Sequence, residues 1–200
     1  MSVRPGPFDW SGGHPALDFL NTLDERPSES PVENLATYRD FVRFAELAGL
    51  IEPSLAATLR NRSGPRCERI ARRARELRER VYNVLAATYA GRSRAQQDLD
   101  AIARAIRSAH GGRAFAVSGS RRVSVPGWRR PTAPEIPLHA CSLAIERLLV
   151  EVDRDRIRKC EASDCGVYFL DTSKGQRRQW CRMGNCGNRE KQRRWRSGKR

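Results

Sequence analysis

The stretch "CEASDCGVYFLDTSKGQRRQWCRMGNCGNREKQRRWR", residues 160–196, holds four of the six cysteines of the 200-residue chain. They form two pairs of equal spacing, Cys160-x4-Cys165 and Cys181-x4-Cys186, with fifteen residues between them. Zinc held by sulfur takes four thiolates at the corners of a tetrahedron, and two turns that carry two cysteines each supply that set. "EASD" and "RMGN" contain the residues that form such turns. The spacer opens with the strand-like run "GVYFLDTS", turns near Ser173-Lys174-Gly175-Gln176 and is expected to return through "RRQW", a hairpin that brings the two pairs together. Four thiolates leave the metal no open position, so the ion would be structural. A module of about forty residues cannot bury enough apolar surface to fold alone, and metal binding supplies the missing stability.

Two other chemistries compete for these cysteines: a pair of disulfides and an iron–sulfur cluster. The first residues, "MSVRPGPFDWSGGHP", lack the apolar stretch of a secretory signal, which places the chain in a cytosol that keeps thiols reduced. No redox partner motif accompanies the cysteines. One structural zinc ion is therefore the expected cofactor. Cys67 and Cys141 stand in or beside apolar helical stretches, where a lone cysteine acts as a small buried hydrophobe. His14, His110 and His139 share no ligand spacing.

A basic run follows the fourth cysteine. The chain carries a net charge of +15 from 38 basic and 23 acidic residues. Residues 1–150 hold 23 basic against 16 acidic, whereas residues 172–200 hold 11 basic and only Glu190 as an acid. So concentrated a charge attracts polyanions, of which DNA and RNA are the commonest in a cytosol; the alternatives are a solvated tail or a weak anionic-membrane contact. A helix that starts near Asn188, with Asn188 as its N-cap, places Arg189, Arg193 and Arg196 within about 60° of one another. Lys191 and Trp195 share another side, with Arg194 between. Arg177 and Arg178 on the returning strand, and Arg182 in the second turn, extend the candidate nucleic-acid surface. Guanidinium forks match phosphate oxygens, so phosphate contact is the expected chemistry. Trp180 and Trp195 are expected to pack in the small core rather than to stack on bases.

Residues 1–155 read as one mainly helical domain. Helices are expected from Pro15, over residues 35–49 (Leu35, Tyr38, Phe41, Val42 and Ala45 on one face), from Pro53 to about residue 60, over residues 66–90 and over residues 95–109. In the longest of these, Ile70, Ala74, Leu77, Val81, Leu85 and Tyr89 form the apolar stripe. Its arginines, Arg69, Arg72, Arg73, Arg75, Arg78 and Arg80, mostly lie off the stripe as a solvated face supported by Glu76 and Glu79. Phe115 and Val117, then Val123 and Val125, alternate around a Gly/Ser turn as in a short hairpin. A proline-rich link leads to an apolar helix over residues 138–152, and "EVDRDRIRK" forms the boundary with the module of residues 156–200. The fold class is thus α+β: a mainly helical N-terminal domain with a short β-hairpin, then a small four-cysteine zinc finger of β-hairpin plus helix.

The finger resembles the CGNR zinc finger, named for the tetrapeptide that stands here as Cys186-Gly187-Asn188-Arg189. Phe169 to Ser173 and the Trp180-Cys181 pair match the same pattern, with Ala162 and Ser163 in a turn that tolerates variation. "GGHPALDFLNTL" looks like the start of the ABATE domain that precedes this finger. The resemblance implies a bacterial stress-induced transcription regulator with Cys160, Cys165, Cys181 and Cys186 as zinc ligands.

The expected function is zinc-dependent DNA binding. RNA binding is the alternative, since zinc knuckles and arginine-rich helices also serve RNA. A third reading puts ligand sensing or catalysis in the N-terminal domain, with His14, Asp18 and Asn21 as a candidate pocket wall for an effector. Against that wall, Asp18 and Asn21 could equally make buried hydrogen bonds that fix their helix. No Gly-rich phosphate loop, nucleophile elbow or two-histidine metal motif is present, so an enzyme is not expected. No window approaches eighteen consecutive apolar residues, so no membrane partner is expected either.

Overall fold

The computed structural model describes residues 7–91, 96–115, 117–118, 122–123 and 127–198. In chain order the elements are α1 (Pro15–Leu20), β1 (Leu23–Asp24), β2 (Val32–Glu33), α2 (Tyr38–Leu47), α3 (Pro53–Arg60), α4 (Pro65–Tyr89), α5 (Gln96–Gly111), β3 (Arg113–Ala114), β4 (Val117–Ser118), β5 (Arg122–Val123), β6 (Gly127–Trp128), α6 (Ile136–Glu151), β7 (Ile157–Lys159), β8 (Tyr168–Leu170) and α7 (Asn188–Ser197). They form two compact units. One comprises residues 35–147; the other joins residues 1–34 to residues 148–200, so both ends of the chain build the unit that carries the cysteines. Among the described residues no helix is long and apolar enough to cross a membrane.

The unit of residues 35–147 is helical because its apolar residues recur at helical spacing and its boundaries are coded locally. Thr37 and Asp40 form a reciprocal capping box at the start of α2. Its end is a Schellman turn: Gly49, at φ +70°, donates to the Glu46 carbonyl, and Leu50 donates to that of Ala45. Pro53 and Pro65 occupy the first turns of α3 and α4. α2 buries Tyr38, Phe41, Val42, Phe44 and Ala45, and the Tyr38 hydroxyl donates to the Pro134 carbonyl at 2.9 Å. α4 packs against α2 and α5 with Ile70, Ala74, Leu77, Val81, Val84 and Leu85 inward. Cys67 and Cys141 are both buried.

Two expectations for α4 are overturned. Tyr89 is exposed at 53%, because it stands at the last position of the helix, beyond the packed stripe. Arg78 is buried at 2% exposure, on the stripe rather than off it, with its guanidinium paired to Glu79 at 2.8 Å. Other arginines of this helix are also engaged: Arg75 donates to the carbonyls of Leu35 and Ala36, and Arg80 pairs with Asp98.

The hairpin region forms two antiparallel pairs, β3 with β6 and β4 with β5, with Val117 opposite Val123. Phe115 is exposed, and Val125 lies outside the described residues.

In the other unit, α1 buries Ala16, Leu17, Phe19 and Leu20 and packs on β8. The segment "ERPSESP" is closed at its base by the β1–β2 pair. Gly12 is required by close approach: a Cβ there would stand 2.7 Å from the Asp18 amide nitrogen and the same distance from its carboxylate.

Candidate metal centre and basic helix

The finger begins earlier than its cysteines. β7 pairs antiparallel with β8, Arg158 opposite Phe169, and Cys160 directly follows β7. The strand partner of "YFL" is therefore residues 157–159, not the expected return through "RRQW". Asp171 is the cause. Fully buried, it accepts the amides of Ser173 and Arg178 at 2.9 Å each, which curls residues 171–178 into a loop. Burial opposes ionisation of this carboxyl, but those bonds and the Arg178 charge outweigh it and hold the pKa below the usual carboxylate range.

The free edge of β8 is closed by the N-terminal segment. Asn21 donates its side-chain amide to the Tyr168 carbonyl at 2.9 Å and accepts the Tyr168 amide at 3.1 Å. The Gly12 carbonyl accepts the Leu170 amide at 2.7 Å. Asp18 accepts the Gly12 amide, and the His14 ring caps α1 by accepting the amide of Ala16. His14, Asp18 and Asn21 thus all make ties to backbone, and Asn21 stands in for a missing third strand.

The four sulfurs gather at one point. Those of Cys160, Cys165, Cys181 and Cys186 lie within 4.8 Å of one another, with Cys165 to Cys181 at 3.9 Å and Cys181 to Cys186 at 3.5 Å. A zinc–sulfur bond of about 2.3 Å puts tetrahedral ligands about 3.8 Å apart, so the four fit one zinc ion. Around them Ala162 and Phe169 complete a small buried cluster, against which Val167 and Trp180 pack. Ala162, at 3% exposure, is a core residue rather than a tolerant turn position. Crowding also shapes the sulfur chemistry. Hydrogen bonds from Cys165 and Cys181 hold Cys160 down to about 2, while the same contact raises Cys165 to about 12 and, with burial, pushes Cys181 up. A zinc ion here would hold its sulfur ligands as thiolates, because a coordinating thiol gives up its proton.

The second pair of cysteines leads straight into the basic helix. Residues Met183–Gly187 form a π-helical turn that carries Cys186 and continues into α7. Asn188 is consequently inside the helix, at φ −67° and ψ −40°, and its side chain donates back to the Gly184 carbonyl. It is not the expected N-cap: a chain already coiled through the preceding turn needs none. At Gly187 a Cβ would meet the Met183 sulfur at 2.5 Å, so the half-exposed Met183 side chain packs in the space that the glycine leaves.

The guanidinium face of α7 is partly folded back onto the first pair of cysteines. Arg189 donates to Asp164 at 2.8 Å, to Asn185 at 3.0 Å and to the Cys186 sulfur at 3.3 Å. Arg193 donates to Asp164 at 2.7 Å, to Ser163 at 2.7 Å and to Glu190 at 2.6 Å. Burial pushes Asp164 up, but the two arginines outweigh it and hold the carboxyl below its ordinary range. Arg178 lies over the Phe169 ring at 4.5 Å and donates to the carbonyls of Trp180 and Cys181. Arg182 pairs with Asp9 at 3.1 Å. Arg177, Lys191, Arg194 and Arg196 are exposed and have no ion-pair partner among the described residues. Trp195 is 63% exposed, so it is not part of the small core. Asp164 and Ser163 had no sequence signal beyond their place in a turn.

Four thiolates on two knuckles, followed by a basic helix, define a structural zinc finger. Residues 156–199 match the CGNR zinc finger model, and residues 13–157 match the ABATE model, described as "Putative stress-induced transcription regulator". The chain belongs to the ABATE family, with a CGNR zinc finger at its C-terminal end. No curated protein matches the chain significantly.

Proposed function

We propose that this protein is a DNA-binding transcription regulator whose zinc site orders α7 and presents its unpaired cations to the phosphate backbone. The observation that carries this is the division of labour on α7 and the loop before it. Arg189 and Arg193 lock the helix to Asp164, while Lys191, Arg194, Arg196 and Arg177 stay exposed. Cations held on an ordered helix engage phosphates without the ordering cost of a loose tail. Trp195, exposed on the same side as Lys191 and Arg194, adds an aromatic face that can rest on sugar or base. Zinc has a structural role here, with four sulfur ligands and no position left open. The protein acts in the cytoplasm, where its thiolates stay reduced.

Fluorescence anisotropy with a labelled genomic duplex, titrated at several salt concentrations against a structured RNA competitor, tests it. Duplex binding that weakens steeply with salt and resists RNA supports the proposal; preferential capture by RNA moves the function to RNA, and no binding at low salt overturns it.

A further inference from the structure

A cavity of about 290 Å³ opens in the unit of residues 35–147. It lies where the end of α5, the β3–β6 pair and the start of α6 converge. Its floor is His139, from the first turn of α6. The His139 ring is within 3.4 Å of the Ser108 hydroxyl through Nε2 and beside the Trp128 indole, 5.8 Å between ring centroids. Gly112 makes room for that ring: a Cβ there would stand 2.9 Å from Nδ1. At the wall, Glu135 is held in a two-bond pair with Arg66, at 2.8 and 3.1 Å. That pair is neutral, which leaves the exposed Arg129 and Arg130 at the mouth without a balancing carboxylate in the lining. The guanidinium of Arg129 is aimed by a bond from its Nε to the Arg113 carbonyl at 3.0 Å.

A small pocket with a polar floor, one aromatic wall and two uncompensated guanidinium groups is built for a compact oxyanion. We propose that this cavity binds a small oxyanion-bearing metabolite, a carboxylate or a phosphate compound, between His139, Ser108 and the guanidinium groups of Arg129 and Arg130. His139 and Ser108 supply hydrogen bonds, and the arginines neutralise the charge. The site lies in a different unit from the zinc centre and does not depend on nucleic-acid binding.

The test uses the full zinc-loaded chain. Thermal unfolding is followed against inorganic phosphate and, separately, benzoate, at constant ionic strength maintained with chloride. A saturable rise in midpoint with at least one probe is expected, and which probe acts tells phosphate from carboxylate. Arg130→Ala should weaken the apparent affinity by about tenfold, the loss of one charge-assisted hydrogen bond. Gly112→Ala, whose Cβ would stand 2.9 Å from Nδ1 and so displaces the His139 ring without removing charge, should abolish the rise; Arg39→Ala, an exposed arginine outside the cavity lining, should leave it unchanged. No saturable rise with either probe overturns the proposal. So does a rise that persists at full affinity in both Arg130→Ala and Gly112→Ala, because the anion would then bind elsewhere.

Discussion

Replacing cations of α7 in pairs separates those that hold the finger together from those proposed to meet phosphate. Arg189 and Arg193 share Asp164, and Arg193 also bonds Ser163 and Glu190. The Asp164 side chain is 42% exposed, so solvent screens these ion pairs and each is worth only a fraction of its buried value. Arg189→Ala with Arg193→Ala should therefore lower the thermal midpoint only modestly, but measurably. Lys191→Ala with Arg194→Ala removes no ion pair among the described residues and should leave the midpoint unchanged. Duplex binding should show the reverse. If the four unpaired cations each neutralise one phosphate, the log–log salt slope is about −3.6, and affinity falls about 150-fold between 50 and 200 mM salt. Without Lys191 and Arg194 the slope halves to about −1.8 and the fall shrinks to about 12-fold. Differential scanning fluorimetry and salt-titrated anisotropy on the unaltered chain and the two double variants read both quantities. A flattening of the salt slope by Arg189→Ala/Arg193→Ala as large as that of the other pair, with the midpoint in place, would refute this division of roles.

Asn21→Ala strands the Tyr168 amide and carbonyl in the interior, at a cost of about 2–4 kcal/mol. Denaturant unfolding should show it, with zinc stoichiometry by metal analysis still one per chain. Asp171→Asn keeps the shape but turns one acceptor into a donor facing a buried amide, and about 1–3 kcal/mol of stability should go. Amide exchange would reveal it as loss of protection at Arg178 and Ser173. Burial lowers His139 from its ordinary 6.5, helped by Arg73 and opposed by Glu135. The unfolded chain then binds this proton more readily, so the contribution is complete above pH 6.5 and declines as the pH falls through the lower folded value. The stability–pH curve of His139→Gln should lack that decline.

The metal site was legible in the sequence because ligand chemistry is local: four cysteines at matched spacing already name their partner and its geometry. The helices of residues 35–147 were legible for a similar reason. Their stripes repeat every three to four residues, and Thr37, Gly49, Pro53 and Pro65 mark the ends. What stayed hidden depends on partners far along the chain. A three-residue strand such as Ile157–Lys159 has too few side chains to show alternation, so its pairing with Tyr168–Leu170 had no signal. A helical wheel gathers Arg189 and Arg193 on one face but cannot show that Asp164, 25 residues before Arg189, waits opposite. Asn21 reaches across 147 residues to Tyr168, and the cavity at His139 draws on residues as distant as Arg66 and Trp128. Asn188 has the chemistry of a cap but is overruled by the helical turn that already contains Cys186.

In the proposed function, zinc at Cys160, Cys165, Cys181 and Cys186 orders the helix that would meet DNA. Duplex affinity of the full chain, measured before chelation, after chelation and after zinc is restored, tests it most directly. A disordered segment pays about 2–5 kcal/mol to order itself on binding, so affinity should fall by more than about tenfold on chelation and return with zinc. Affinity that survives metal removal unchanged would show that the basic residues bind without the finger.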